Sequence, residues 1–244
     1  MSSAGLPLTA AWVTTGDVRL ARWMADLDLS EVWLDLEHGF IDNHMLPGLV
    51  TTIRAAGKRC RARVPTVDAS LIENLWLLGA EGVVVPHVSS VSDVTAAVQA
   101  SELLRGAARD WRDLGVPSKR SRPAIGALIE DAEALKAAEA IIASPGLDLV
   151  IVGRQDLGRS LGEDPLSERT CAANRSVFEL ARLHGVATGI GVPRCGWPTV
   201  EWKALARSAD VVIIGHDYDF VSVGGASRIA ALGTDDITQE VTWP

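Results

Sequence analysis

Eight short apolar runs, each closed by turn residues and each followed by a stretch with helical spacing, set the rhythm of this chain. They occupy residues 8–13, 31–37, 59–64, 82–88, 124–130, 147–153, 186–192 and 210–216. Runs that are apolar at almost every position, instead of every second one, suit parallel strands covered on both faces. Right-handed crossovers between eight such neighbours close them into a (β/α)8 TIM barrel, an α/β fold of one domain. The competing fold, a doubly wound open sheet, is disfavoured because no GxGxxG follows the first strand.

Helix-end signals support the same division. Asp17, Asp68 and Ser92 are placed to cap helices running to Ala25, Leu78 and Leu104, and Gly57, Gly79 and Gly185 to stop the helices before them. Two stretches break the rhythm. Residues 105–123 are polar and rich in arginine, and are long for a helix-to-strand connection, which predicts a solvated loop beginning on the bottom face. Beyond a barrel domain of residues 1–232, residues 233–244 form an acidic, polar tail expected to fray or to drape on a partner chain.

With 244 residues and 48% hydrophobic positions, the chain has the size of one barrel and can bury most of the surface that it exposes unfolded. Acids exceed bases 31 to 23, which denies it the basic face that nucleic acid requires. No run approaches the ~18 apolar residues of a membrane helix, and the first residues lack the basic-then-apolar order of a signal peptide, so a soluble, cytoplasmic protein without membrane contacts is expected. Cys60, Cys171 and Cys195 are scattered and form no CxxC, which fits small buried hydrophobes in a reducing compartment.

Candidate chemistry gathers where the runs end, on the face where such barrels carry their active sites. The second run ends in Asp35-Leu36-Glu37-His38-Gly39. A period of two puts Asp35 and Glu37 on one side and Leu34 and Leu36 on the other, so with the leucines against helices both acids face the barrel mouth. Buried carboxylates need cations or donors, and Arg61 and Arg63 have the matching parity on the third strand. A structural ion-pair layer accounts for Arg61 better than for Arg63. Glu130 ends the fifth run, and Asp156 lies three residues past Gly153. Two like charges in a desolvated mouth repel unless one is protonated or a cation lies between them. A pair of hard oxygen ligands with open positions suits Mg²⁺ or Mn²⁺. The plainer alternative makes Glu130 a rim residue and Asp156 a helix cap.

His38 follows the second run and is the candidate general base, because a near-neutral imidazole beside carboxylates can take a proton. His87 can also line the mouth. His216, His184 and His44 are better read as structural. Trp12 closes the first run and would form an apolar wall of the pocket. The glycines of residues 222–227 could cradle a phosphate, although the turn of a starting helix explains them better.

Taken in order, these residues resemble the HpcH/HpaI aldolases, metal-dependent class II pyruvate aldolases of the citrate lyase β-chain type of superfamily, built on a (β/α)8 barrel. The likeness runs from Trp12 to Leu232. It is carried by Asp35-x-Glu37-His38-Gly39 with Asp42, by Arg63-Val64-Pro65, by Leu71-Ile72 with Gly79-Ala80 and Gly82-Val83, and by Pro86-His87-Val88. Leu128-Ile129-Glu130 and Gly153-x-x-Asp156-Leu157 with Ser160-Leu161-Gly162 complete it.

The resemblance implies that Glu130 and Asp156 bind the divalent cation, Mg²⁺ or Mn²⁺ with Co²⁺ as a further option, and that Arg63 meets the oxygen that becomes the enolate. His38 would act on the aldol hydroxyl, with Asp35 orienting a metal-bound water. Amides around Gly153, Arg154 and Gln155 would hold the carboxylate of the oxo acid. The implied activity is a carbon–carbon lyase that cleaves or forms 4-hydroxy-2-oxo acids from a 2-oxo acid and an aldehyde, in a homo-oligomer. Related metal-enolate chemistries, such as decarboxylation, a biosynthetic condensation or acyl-CoA lysis, are alternatives. A barrel that binds without turnover is another.

Three departures from the family pattern stand out. Leu77 occupies the position of an acid that usually supports the histidine. Arg154 replaces a proline in Gly153-Arg154-Gln155-Asp156-Leu157. The connection between the fourth and fifth strands is shortened.

Overall fold

Each apolar run supplies a strand, and each strand pairs in parallel with its sequence neighbours until the last closes on the first. A computed structural model of the chain describes residues 6–102, 122–193 and 199–232, with side chains as far as residue 228. The strands are β1 (Leu8–Val13), β2 (Glu31–Asp35), β3 (Arg59–Arg63), β4 (Gly82–Val85), β5 (Ala124–Ile129), β6 (Leu149–Val152), β7 (Ala187–Gly191) and β8 (Val211–His216). Around them lie α1 (Val18–Asp26), α2 (Leu46–Ala55), α3 (Ala69–Leu78), α4 (Val91–Glu102), the short α5 (Ala132–Lys136) and α6 (Ala138–Ile142), α7 (Arg154–Leu161), α8 (Glu168–His184), α9 (Val200–Ser208) and α10 (Asp217–Leu232). The chain is a (β/α)8 barrel of one domain.

Strand parity divides the molecule into two apolar regions. Val32, Leu34, Cys60, Ala62, Val83 and Val85 point outward and pack beneath the helices. Ala10, Trp12, Trp33, Val84, Leu128 and Ile151 point inward and fill the barrel. Burial in the outer layer pushes the Cys60 thiol up to about 12, as desolvation opposes the thiolate.

At the bottom of the barrel Glu31, fully buried, accepts from Trp33 Nε1 at 2.6 Å and Arg61 Nε at 2.8 Å, and pairs with Arg59 Nη2 at 2.7 Å. Arg61 therefore belongs to a structural ion-pair layer.

Local chemistry explains where the observed elements depart from the expected ones. Asp17 and Asp68 cap α1 and α3, and Gly57, Gly79 and Gly185 follow their helices at positive φ. Ser92 is not the cap of α4, which begins at Val91. Asp93 reaches back to the Ser90 amide at 2.9 Å, a capping box with a shorter acid. The second strand stops at Asp35 and not at Glu37, because Asp35 Oδ1 takes the amides of Glu37 and His38 and turns them out of the ladder. The fourth stops at Val85, since Pro86 has no N–H to give and the His87 amide goes to Glu130. The remaining strand ends differ from expectation by two residues or fewer.

The glycines of residues 222–227 lie within α10 and form no phosphate loop. Residues 103–121, Cys195 and the tail of residues 233–244 lie outside the described residues. Arg122, at the end of the arginine-rich stretch, bonds Asp148 and the Gly146 carbonyl.

Asp217 locks the seam where the barrel closes. Fully buried, its carboxylate accepts from Thr14 Oγ1 at 2.6 Å, the Thr14 amide at 2.9 Å and the Thr15 amide at 3.1 Å. The loop after β1 is thus tied to the start of α10. Among the described residues no helix is long and apolar enough to cross a membrane.

Candidate active site

The top of the barrel carries a chain of acidic and basic side chains that begins on β2 and ends on β5. Asp35 and Arg63 are register partners on β2 and β3, so their inward side chains meet directly. Arg63 Nε lies 2.9 Å from Asp35 Oδ1 and Nη2 lies 2.5 Å from Oδ2, a bidentate pair with both partners buried. Burial pushes the Asp35 carboxyl up, but the hydrogen bond and charge of Arg63, with the amides of His38 and Glu37, outweigh it and hold the group below the usual carboxylate range. Burial likewise opposes the charge on Arg63, and Asp35 and Glu37 more than restore it.

Glu37, just past the end of β2, extends the chain. Its Oε2 is buried 3.1 Å from Arg63 Nε and 3.7 Å from His38 Nε2, with neither contact aligned as a hydrogen bond. Its Oε1 lies 2.8 Å from His87 Nε2. His87 Nδ1 is 3.1 Å from Glu130 Oε2, and the His87 amide donates to the same oxygen at 2.9 Å. One imidazole therefore bridges two buried acids from β2 and β5. To do so His87 adopts φ 53°, the left-handed region that non-glycine residues seldom occupy.

Glu130 is 6% exposed. Desolvation raises its carboxyl pKa, His87 lowers it, and the negative charges of Glu37 and Asp156 raise it again, for a net upward shift. Asp156 stands in the first turn of α7, half exposed and paired with Arg159 at 2.5 Å. The cap position of α7 is taken by Gly153, so Asp156 is not the cap.

A Cβ on Gly153 would meet Glu130 Oε1 at 2.6 Å, so this glycine makes the space in which Glu130 lies. The Gly153 amide is engaged by the Ile129 carbonyl at 2.9 Å. The amides of Arg154 and Gln155, at the N-terminus of α7, remain the ones suited to an anion. Arg154 is itself buried and its Nε donates to the Gly191 carbonyl at 3.3 Å.

The wall opposite is aromatic. Arg63 Cζ lies 5.0 Å from the centroid of the Trp12 ring, which meets Trp33 edge-on at 5.0 Å. Trp12 and His216 are register neighbours across the β1–β8 seam, their rings 6.4 Å apart and 21° from parallel. Beyond them a cavity of about 470 Å³ opens between the start of α7, the end of β7 and the start of α10.

Of the residues singled out in the sequence, Asp35, Arg63 and Trp12 meet directly, while Glu130 and Gly153 are in contact beside them. His38 sits at the edge, with a 65% exposed side chain. Leu77, where a supporting acid was expected, is partly buried and packs against the core. The sequence places His87 at the mouth but holds no sign of its bridge between Glu37 and Glu130, because the left-handed turn that aims it has no signature in Pro86-His87-Val88.

Among the described residues no group of three or more His, Cys, Asp and Glu side chains is arranged to hold a metal ion. The chain's contribution to a cation would be the carboxylate pair of Glu130 and Asp156. These fit a hard dication: both are oxygen donors, and their mutual repulsion is the kind that such a charge relieves.

Comparison with known proteins gives the chain a family. The sequence profile of the HpcH/HpaI aldolase/citrate lyase family matches residues 9–192. The chain is 28% identical to a hydroxypyruvate/pyruvate aldolase of Rhizorhabdus wittichii over 242 residues, covering 93% of this chain and 94% of that one. It is 35% identical over 199 residues to a 4-hydroxy-2-oxovalerate aldolase of Novosphingobium aromaticivorans, covering 71% and 74%. The crystal structure of an HpcH/HpaI aldolase from Desulfitobacterium hafniense superposes with a TM-score of 0.79 over 94% of both chains, at 22% identity.

Proposed function

Because this chain belongs to the HpcH/HpaI aldolase/citrate lyase family, we propose that it is a class II aldolase acting on 4-hydroxy-2-oxo acids, releasing or capturing pyruvate or a related 2-oxo acid. The observation that carries this is the Arg63 guanidinium, buried, clamped by Asp35 and Glu37 and laid over Trp12 beside Glu130. A cation so fixed is preorganised for an oxygen on which negative charge develops, and needs no reorganisation when the charge appears. A Mg²⁺ or Mn²⁺ ion held by Glu130 and Asp156 would add Lewis-acid polarisation of the keto group.

The chain's own groups divide the remaining work. The Arg154 and Gln155 amides at the start of α7 receive the substrate carboxylate, helped by the helix dipole. Trp12 excludes water from the apolar side of the oxo acid. Both oxygens of Asp35 are already engaged, by Arg63 and by the amides of Glu37 and His38, so its part is to fix Arg63 and the loop that carries His38. The family resemblance implies His38 as the base for the aldol hydroxyl, and this residue stands exposed at the edge of the site.

The enzyme works in the cytoplasm as a homo-oligomer. In support, α10 leaves Val221 and Val223 exposed and α1 leaves Trp23 exposed, apolar positions that a second copy would cover.

The test is pyruvate release from 4-hydroxy-2-oxovalerate with Mg²⁺, Mn²⁺ or Co²⁺ and with a chelator. Metal-dependent release supports the assignment. Release that survives chelation overturns the metal, and absence of release from any oxo acid leaves a barrel that binds without turnover.

A further inference from the structure

His216 and Asp219 form a second histidine–carboxylate pair, on the opposite side of Trp12 from Arg63. His216 Nδ1 lies 3.2 Å from Asp219 Oδ2, and the same oxygen accepts the His216 amide at 2.9 Å. The imidazole stacks with two rings, Trp12 at 6.4 Å and Tyr218 at 4.9 Å, both within 21° of parallel. Two contacts to one carboxylate oxygen and two near-parallel ring neighbours fix its position and plane. The ring also lines the 470 Å³ cavity, together with Arg154 and Gln155.

His38 lacks all of this. It is 65% exposed, its Nε2 stands 3.7 Å from Glu37 without hydrogen-bond alignment, and Leu77 offers it no carboxylate. An effective general base has its ring oriented and its tautomer fixed by a third group, which here is true of His216 and not of His38.

We propose that His216, oriented by Asp219, is the proton-transfer residue for the aldehyde half of the substrate, and that the cavity it lines receives that half. The proposal rests on the aldolase assignment above. A proton on Nδ1 is held by Asp219, which leaves Nε2 as the basic nitrogen. In the cleavage direction Nε2 takes the C4 hydroxyl proton while the C3–C4 bond breaks. The C4–O bond becomes the aldehyde carbonyl, and the C3–C4 electron pair passes into the enolate of the oxo acid, whose oxygen meets Arg63. The imidazolium then gives its proton to C3 of the enolate through solvent, so that the hydroxyl proton ends on the methyl group of the product and the base is restored. Condensation runs the same steps backwards.

The charged groups around the ring are consistent with this. Asp164, across the cavity, is engaged by the Leu166 amide at 2.7 Å, and Asp217 by Thr14 and Thr15. Arg154 brings a positive charge to the same cavity, where it favours the alkoxide over the alcohol.

Oxaloacetate decarboxylation forms the same enolate but removes no hydroxyl proton, so it separates this role from a structural one. His216→Gln, His38→Gln and Asp219→Asn are compared with the unaltered enzyme for cleavage of 4-hydroxy-2-oxovalerate and for decarboxylation of oxaloacetate, after thermal unfolding has verified that each is folded. The expected result for His216→Gln is a kcat for cleavage lower by about 10²-fold, the loss typical of a general base, with KM and decarboxylation little changed. Asp219→Asn should lose about tenfold in the same pattern, and His38→Gln less than His216→Gln. Cleavage unaffected in His216→Gln, or both activities falling together, overturns the proposal while leaving the aldolase assignment intact. An unaltered enzyme with neither activity overturns both. Should His216→Gln not fold, Asp219→Asn decides by the same criterion.

Discussion

Gly153 lies so close to Glu130 that a single methyl group on it would stand 2.6 Å from Glu130 Cγ and from Oε1. The glycine is needed for the space, since its backbone, at φ −77° and ψ 74°, is open to other residues. Gly153→Ala should therefore push the Glu130 carboxylate off His87 without unfolding the barrel. The expected outcome is a loss of about 10- to 100-fold in Mn²⁺ affinity, the range for disturbing a group that supports a ligand. Calorimetric titration of the folded variant with Mn²⁺ checks it, and unchanged affinity would separate Glu130 from the cation.

Arg63 is held by geometry as much as by charge. Its Nε and Nη2 address both oxygens of Asp35 in a fork that an ammonium cannot reproduce. Arg63→Ala should lower kcat/KM by about 10²-fold or more, the cost of losing one oxyanion donor. Arg63→Lys should recover little of it, because a point charge drawn to Asp35 leaves Glu37 and the substrate oxygen unserved. Steady-state kinetics on 4-hydroxy-2-oxovalerate distinguish the two, and near-normal activity in Arg63→Lys would show that only charge matters there.

How far the sequence discloses this site follows from period and register. Alternation along β2 and β3 places Asp35, Arg61 and Arg63 inside the barrel, because parity within a strand survives an error in where it ends, whereas Glu37 reaches Arg63 and His87 from the turn beyond β2. The ends themselves are set by side chains that compete for backbone amides: Asp35 captures those of Glu37 and His38, and Glu130 that of His87. A reading of apolar runs cannot see that competition. The bridge from Glu37 through His87 to Glu130 needs both a long-range contact and a left-handed residue, and neither leaves a local pattern. The pairing of His216 with Asp219 is three residues apart in sequence, across the junction where β8 runs directly into α10; the sequence alone reads His216 as structural and assigns Asp219 no part.

Acid should weaken the fold through Asp35. Its folded carboxyl titrates below the ordinary value of about 3.9. The stability it contributes is therefore fully present above that value and is lost as pH falls through the folded pKa. Thermal midpoints measured from pH 7 to pH 3 should decline toward the acid end, and the decline should be shallower in Asp35→Asn, which has no proton to take up. Equal acid slopes in the two proteins would assign the effect to other carboxylates.

Arg61, two residues before Arg63 on the same inward face of β3, should behave in the opposite way. It touches Glu31 and lies 5.7 Å from the Trp33 ring, at the far end of the barrel from the candidate site. Arg61→Met would leave the fully buried Glu31 with Arg59 and the Trp33 indole as partners. A buried carboxylate that loses a principal cation costs about 3 kcal/mol. Urea unfolding should show that loss while kcat/KM stays within about twofold of the unaltered enzyme, since Arg63 keeps its own carboxylates. Adding Glu31→Leu should restore much of the stability, because an apolar pair of similar volume avoids the desolvation that the ion pair must offset. A double variant no more stable than Arg61→Met alone would mean that Glu31 is required for its contacts to Arg59 and Trp33 and not as the partner of Arg61.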